Sequence, residues 1–263
     1  MILDRFRLTD RVAIVTGAGK GIGAGIAVAL AEAGADVVGA ARTEADIEAT
    51  ADRVRETGRR ALAVPTDVLE RADLERLLAA TVDAFGKVDI LVNNAGGWPP
   101  HPALRTGADA FRRALDFNVV APFVLTRLTV PVMVETAGGG AVVNISSRSA
   151  SMVQPMFVAY GTAKAGLSFM TRNLAPELAP KVRVNAIEVG GVETDALASV
   201  LTDDAVRAQM EENTPMRRVG QVEDIAAGVV FLASEAASWI TGKVFEIDGG
   251  VEHPSFTIPF EPL

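Results

Sequence analysis

The sequence predicts an α/β fold: a doubly wound parallel sheet of seven strands with helices on both faces, in a single domain. Three observations predict it. Short apolar, β-branched runs alternate with helical patterns along the 263 residues. These runs are mostly apolar and not strictly alternating, as strands covered on both faces require. A glycine cluster follows the first run, where such a sheet makes its first strand-to-helix turn.

The elements follow in order. Val12–Thr16 (VAIVT) is the first strand, and the glycine cluster leads into an apolar helix over 22–33 that Gly34 stops. Asp36–Ala41 is the second strand, and a helix over 44–57 with its charges on one face ends at Gly58. Ala61–Pro65 is the third strand, Asp67 ends the next turn, and the helix over 73–85 carries Leu74, Leu77 and Leu78 on one side. After the fourth strand, Ile90–Asn93, residues 109–134 are helical in pattern, as one long helix or two, with Pro122 and Pro131 as candidate breaks. A fifth strand over 141–145, a helix from about Tyr160 to Leu178 and a sixth strand over 182–187 come next. Short helices over 203–210 and 222–234 precede the last strand, Val244–Ile247. No repeat, low-complexity tract or linker divides the chain. Residues 98–107 and 191–218 interrupt the alternation at the end where such sheets hold ligands, and are expected to be substrate lids. The tail over 251–263, with Pro254, Pro259 and Pro262, reads as extended.

Composition excludes several classes of function. The formal charge of −8, from 33 acidic and 25 basic residues, lacks the basic footprint of a nucleic-acid binder. It also gives no general attraction to anionic membranes or acidic carrier proteins. There is no cysteine, hence no disulfide and no thiol chemistry, which fits a reducing compartment. With only His101 and His253 besides, no metal site of usual composition is expected. The N-terminal MILDRFRLTD mixes charges into a short apolar stretch, unlike a signal peptide or a membrane span, so a cytoplasmic protein is expected.

Two places carry chemistry. Thr16-Gly17-Ala18-Gly19-Lys20-Gly21-Ile22-Gly23 lets the backbone approach a pyrophosphate that the next helix faces with its N-terminal amides. The strict G-x-G-x-x-G spacing is not met, since from Gly17 its last position falls on Ile22, and any tight connection uses glycine. The position after the first strand and before an apolar helix favours a nucleotide. The second place is the pair Tyr160 and Lys164, four residues apart and so on one helix face. An ammonium beside a phenol lowers its pKa and suits it to exchange a proton with a substrate oxygen. An exposed pair of this kind is otherwise an ordinary solvated face.

Further motifs join these two. Asp67-Val68 follows the third strand and Asn93-Asn94-Ala95-Gly96 the fourth; Asn118 lies in the long helix; Asn144-Ile145-Ser146-Ser147 ends the fifth strand with Ser147 13 positions before Tyr160; Asp248-Gly249-Gly250 follows the last strand. In kind, order and spacing, over about residues 8 to 250, they resemble the motifs of the short-chain dehydrogenase/reductase family, whose fold is of the Rossmann type. The resemblance implies a nicotinamide cofactor held by Gly17, Gly19, Lys20, Gly21, Ile22 and Gly23 at the pyrophosphate. It implies Asp67 and Val68 at the adenine, Asn94, Ala95 and Gly96 beside it, and Gly190, Val192 and Thr194 at the carboxamide end. Tyr160 is then the general acid/base. Lys164 holds the nicotinamide ribose and lowers the tyrosine pKa, Ser147 donates to the substrate oxygen, and Asn118 holds a water linking Lys164 to solvent. Ser146 is the rival of Ser147, and only spacing separates them.

No acid ends the second strand to bind ribose hydroxyls. Arg42 and Lys20 instead favour NADP(H) over NAD(H), unless both are surface cations. One departure stands out. Where the family commonly has Pro-Gly after the sixth strand, this chain reads Glu188-Val189-Gly190. Val189 frees a φ angle and Glu188 brings a carboxylate toward the nicotinamide, so a looser loop is expected; alternatively Glu188 faces solvent or caps an amide. Trp98, Met152, Met156, Phe157, Leu197, Val200, Leu201 and Met210 form an apolar set that suits a hydrophobic ketone or secondary alcohol. The family's habit implies a homotetramer or homodimer, with the helices of Asn118 and Tyr160 at a dimer contact and the tail packed across a tetramer. A 3-oxoacyl-carrier-protein reductase and a non-catalytic NADP-binding sensor or scaffold are the alternative functions.

Overall fold

The computed structural model of the protein describes residues 1–194, 197 and 202–258. One sheet runs β3–β2–β1–β4–β5–β6–β7, every pair parallel. Its strands are β1 Val12–Thr16, β2 Asp36–Ala41, β3 Ala61–Pro65, β4 Ile90–Asn93, β5 Gly140–Ser147, β6 Val182–Val189 and β7 Val244–Ile247. The helices are α1 Gly21–Glu32, α2 Glu44–Glu56, α3 Arg71–Phe85, α4 Ala108–Leu115, α5 Ala121–Ala137, α6 Val158–Leu178, α7 Asp204–Asn213 and α8 Val222–Ala233. The order reverses between β1 and β4, which opens a crevice at the carboxyl ends of these two strands.

Side chains alternate between the two faces, and both faces are covered. Ala13 and Val15 of β1 join Ile26 and Leu30 of α1 and Ile225 and Val229 of α8 in one core. Ile14 points the other way, to Leu74 and Leu77 of α3 and Leu125 and Met133 of α5. Each such buried aliphatic side chain contributes about 1.5–3 kcal/mol.

The segment expected over 109–134 is one continuous helix, Ala108–Ala137, and Pro122 and Pro131 do not divide it. A π turn at Asp116–Val120 joins α4 to α5 and takes up the disturbance where the missing N–H of Pro122 interrupts the ladder. This helix is long and apolar enough by composition to cross a bilayer. Here its Leu125 and Met133 are buried against the sheet.

β5 and β6 run further than their apolar stretches predict. Ser146 pairs with Glu188 and Ser147 with Val189. Val189 pairs on its other side with Ile247. The loose loop expected at Val189 is therefore absent: the residue is a buried strand position held by neighbours on both sides. The tail through Ile258 forms no helix or strand, and Asn213 Nδ2 donates to Ser255 O at 3.0 Å. Val200, Leu201, Pro259, Phe260 and Pro262 lie outside the described residues.

Candidate active site

A cleft of about 1620 Å³ opens at the carboxyl ends of the strands and runs from Asp46 and Arg42 to Phe256. Its floor is the glycine turn after β1, cross-braced from β4. Thr16 Oγ1 accepts from the N–H groups of Asn94 and Ala95, both at 3.0 Å. Asn94 Nδ2 donates to Thr16 O at 2.9 Å and Gly17 O at 3.3 Å. Gly17 has φ +66°, and a Cβ at Gly23 would collide with the Gly17 carbonyl and the Asn94 amide. The glycines are thus required by the packing of α1 on the turn. No side chain caps α1, and Gly21, Ile22 and Gly23 of its first turn line the cleft, a setting suited to a pyrophosphate. Asn94 lines the cleft too, but its amide nitrogen is spent on the loop backbone.

Asp67, Val68 and Arg42 line the far end of the cleft. Asp67 is fixed in its turn: its N–H donates to Asp73 Oδ2 at 2.9 Å and its Oδ1 accepts from Leu69 N–H at 3.0 Å. Lys20 is not a free cation. Its Nζ lies 3.3 Å from Asp46 Oδ2, in the first turn of α2. Sequence reasoning passed over Asp46, because an acid in a first helical turn reads as a dipole partner. Arg42 is exposed at the cleft and makes no ion pair among the described residues.

At the middle of the cleft β5 brings Ser147, and α6 brings Tyr160 and Lys164. Ser147 stands beside the phenol of Tyr160 in the cleft wall, whereas Ser146 Oγ donates to Lys164 O at 3.1 Å on the other side of the strand. Strand alternation decides between the two serines. Lys164 Nζ donates to Ile145 O at 2.8 Å and lies 5.8 Å from the centre of the Tyr160 ring. Burial pushes the Lys164 ammonium down to about 8. The Tyr160 phenol is raised, chiefly by burial, with the Ser147 hydrogen bond acting against it. This reverses the expected direction, because desolvation outweighs the opposing effect of Ser147.

Asn118 is fully buried in the π turn. Its Oδ1 accepts from Gly97 N–H at 2.9 Å, and its Nδ2 donates to Gly97 O at 3.1 Å and Ala114 O at 2.9 Å. Both amide hydrogens are used, so the side chain clasps the loop after β4 and has no donor left for the expected water. That loop passes close beneath the lysine: a Cβ at Gly96 would lie 3.0 Å from Lys164 Nζ and 2.8 Å from Asn118 Oδ1.

Gly190, Val192 and Thr194 line the cleft beyond Tyr160, followed by Trp98, Met152, Phe157 and Leu197. Met156 and Met210 do not line it. Met156 takes a φ of +74°, and Met210 is buried with Val219 in a small separate core. The tail enters as well: Ser255, Phe256, Thr257 and Ile258 form part of the wall. Glu188 neither faces the cofactor region nor reaches solvent. It is 3% exposed and accepts from Ser151 Oγ at 2.5 Å and Ser168 Oγ at 2.8 Å.

Comparison with known proteins finds similarity over nearly the whole chain. A family model described as enoyl-(acyl carrier protein) reductase matches residues 17–252. The chain is 48% identical over 263 residues to an uncharacterised oxidoreductase of Mycobacterium tuberculosis (strain CDC 1551 / Oshkosh), covering 100% of both. It is 42% identical over 253 residues to the 7alpha-hydroxysteroid dehydrogenase of Escherichia coli (strain K12), covering 94% of this chain and 96% of that one. A solved 7 alpha-hydroxysteroid dehydrogenase complexed with NADH and 7-oxo glycochenodeoxycholic acid is similar with a TM-score of 0.91 at 40% identity, over 96% of this chain and 98% of that one. A protein of Agrobacterium tumefaciens solved with bound NADP has a TM-score of 0.86 at 35% identity, over 94% of this chain and 98% of that one.

Proposed function

The chain belongs to the short-chain dehydrogenase/reductase family, and from that premise we propose that it moves a hydride between NADP(H) and a hydrophobic ketone or secondary alcohol. One observation carries this. A single cleft joins an uncapped helix N-terminus at a glycine turn to an apolar chamber, with Ser147, Tyr160 and Lys164 where the two meet. The cleft fits a dinucleotide: the glycine turn would hold the pyrophosphate, Asp67 and Val68 the adenine end, and Lys164 the nicotinamide ribose. The bound nicotinamide supplies or accepts the hydride.

The rest is done by side chains. In the reducing direction Tyr160 gives its proton to the carbonyl oxygen as charge develops there, and Ser147 donates a hydrogen bond to the same oxygen. Lys164 stays close enough to steady the phenolate left behind. In the oxidising direction the same groups work in reverse. Trp98, Met152, Phe157 and Leu197 favour an apolar substrate body. A steroid is one fitting class, and the similarity to hydroxysteroid dehydrogenases supports it.

The preference for NADP(H) rests on Arg42, since Lys20 is partly neutralised by Asp46. The relatives divide, one being solved with NADH and another with NADP. The description of the matching family model favours a carrier-protein substrate. The formal charge of −8 opposes docking of an acidic carrier protein, so a free small molecule is the better substrate. Val120 in the π turn, Phe123 on α5 and Phe169 on α6 are exposed apolar side chains that suit a subunit contact in a homodimer or homotetramer.

The test is a panel of steroid and cyclic ketones with NADPH or NADH, followed at the nicotinamide absorbance. Turnover is expected with NADPH favoured, and Arg42→Ala should cut that preference at least tenfold. Tyr160→Phe should lose at least a thousandfold in kcat while still binding NADPH. Tight NADPH binding with no turnover of any ketone would instead make the protein a sensor.

A further inference from the structure

Glu188 and Arg148 are buried ionisable side chains with no part in the chemistry above, being 3% and 8% exposed. They meet at the wall of the cleft, which Arg148 lines and Glu188 does not. Glu188 Oε1 accepts from Ser168 Oγ at 2.8 Å and Oε2 from Ser151 Oγ at 2.5 Å, with Arg148 Nη1 at 3.6 Å. Arg148 Nη1 donates to Ser151 Oγ at 2.8 Å and Nη2 to Val251 O at 3.1 Å, while Nε lies 2.8 Å from Asp248 Oδ2 as an ion pair without hydrogen-bond alignment. Glu246 is a further ion-pair partner of Arg148.

Each contact ties a different part of the site. Ser151 closes the turn that begins at Ser147, and within that turn Ser149 N–H donates to Ser147 Oγ at 3.2 Å. Ser168 lies one helical turn beyond Lys164 on α6. Ser168 Oγ also meets Ser146 Oγ at 2.9 Å, and Ser146 reaches the carbonyl of Lys164 itself. A serine carries one hydroxyl hydrogen. Ser168 and Ser151 each give theirs to Glu188, which leaves Ser168 Oγ an acceptor and Ser146 sharing its one hydrogen between Ser168 Oγ and the Lys164 carbonyl. A buried carboxylate accepting two hydroxyls beside a guanidinium is held far more firmly than a surface ion pair.

We propose that Glu188 is a positioning residue: braced by Arg148, it locks the turn after Ser147 to helix α6 and so holds the Ser147 hydroxyl on the Tyr160 phenol. The kinetic part of this role rests on the oxidoreductase function proposed above. The spectroscopic part does not, because Tyr160 is the only tyrosine in the chain and its phenolate absorbance reports on one group.

The experiment compares wild type, Glu188→Ala, Glu188→Gln and Ser147→Ala, each checked for a cooperative melt. Phenolate absorbance is read after a rapid pH jump, before any alkaline unfolding. Glu188→Ala is expected to move the tyrosine titration upward, in the direction Ser147→Ala moves it. With NADPH and a ketone substrate, kcat should fall at least tenfold while KM and NADPH affinity stay within twofold. Glu188→Gln keeps one acceptor and one donor for the two serines and should restore at least a third of the wild-type kcat. A Glu188→Ala titration matching wild type while Ser147→Ala shifts would overturn the proposal, as would an unchanged kcat. If wild type reduces no ketone, the oxidoreductase function fails, and the titration still decides the role of Glu188.

Discussion

Lys164 is 4% exposed, with a backbone carbonyl as its hydrogen-bond acceptor and no carboxylate in ion-pair range among the described residues. Desolvation holds its pKa at about 8, against 10.5 for an ordinary lysine. Between those values the unfolded chain binds the proton more tightly than the folded one. Stability from this group therefore rises as pH climbs from about 8 toward 10.5, and the penalty is fully present below 8. The melting temperature of the cofactor-free protein, measured from pH 7 to 10, should fall less steeply for wild type than for Lys164→Met. At pH 7 the methionine variant should melt at least as high as wild type while losing turnover. Parallel curves would mean that Lys164 is charged without cost. A residue that weakens the fold and lines the cleft beside the phenol is a functional-site candidate.

Among the elements, the π turn at Asp116–Val120 has the clearest consequence. It sets Asn118 so that one side chain satisfies both backbone groups of Gly97 and the Ala114 carbonyl. Asn118→Ala leaves these three buried or half-buried groups without that partner, a loss of about 1–3 kcal/mol. Urea unfolding should show this loss. NADPH should bind about tenfold more weakly, because the freed loop carries Gly96 beneath Lys164. Unchanged stability and affinity in Asn118→Ala would leave the clasp without effect. The motif spacing made Asn118 legible in the sequence but not its role, since a helical pattern does not show a widened turn. Arg148 was passed over, and Glu188 stood out without its partners, for a related reason: charge at a strand end reads as solvated until the register Ser146↔Glu188 turns it toward α6. Asp46 was hidden by the same ambiguity at the start of α2.

For the whole molecule, the sheet was legible because the central strands are largely apolar on both faces, and the glycines marked where the helices leave it. The closure of the cleft was not, because it joins segments far apart in sequence. Met210 and Val219 form a small core outside the two that sandwich the sheet, and Leu197, Val206 and Phe256 pack against it. That core ties α7 to the tail, and Asn213 Nδ2 adds its bond to Ser255 O at 3.0 Å. With so few buried apolar contacts, this unit should open at lower free energy than the sheet. Phe256 contributes both to the small core and to the cleft wall. Phe256→Ala is therefore expected to leave the main melting transition nearly unchanged and to speed amide exchange across 204–213. KM for a bulky hydrophobic ketone should rise about tenfold, with NADPH affinity and KM for a small ketone held within twofold. If both KM values stay put, or if exchange quickens equally in β4 and β5, the lid and tail do not form a separate closing unit and the chamber is shaped by the sheet alone.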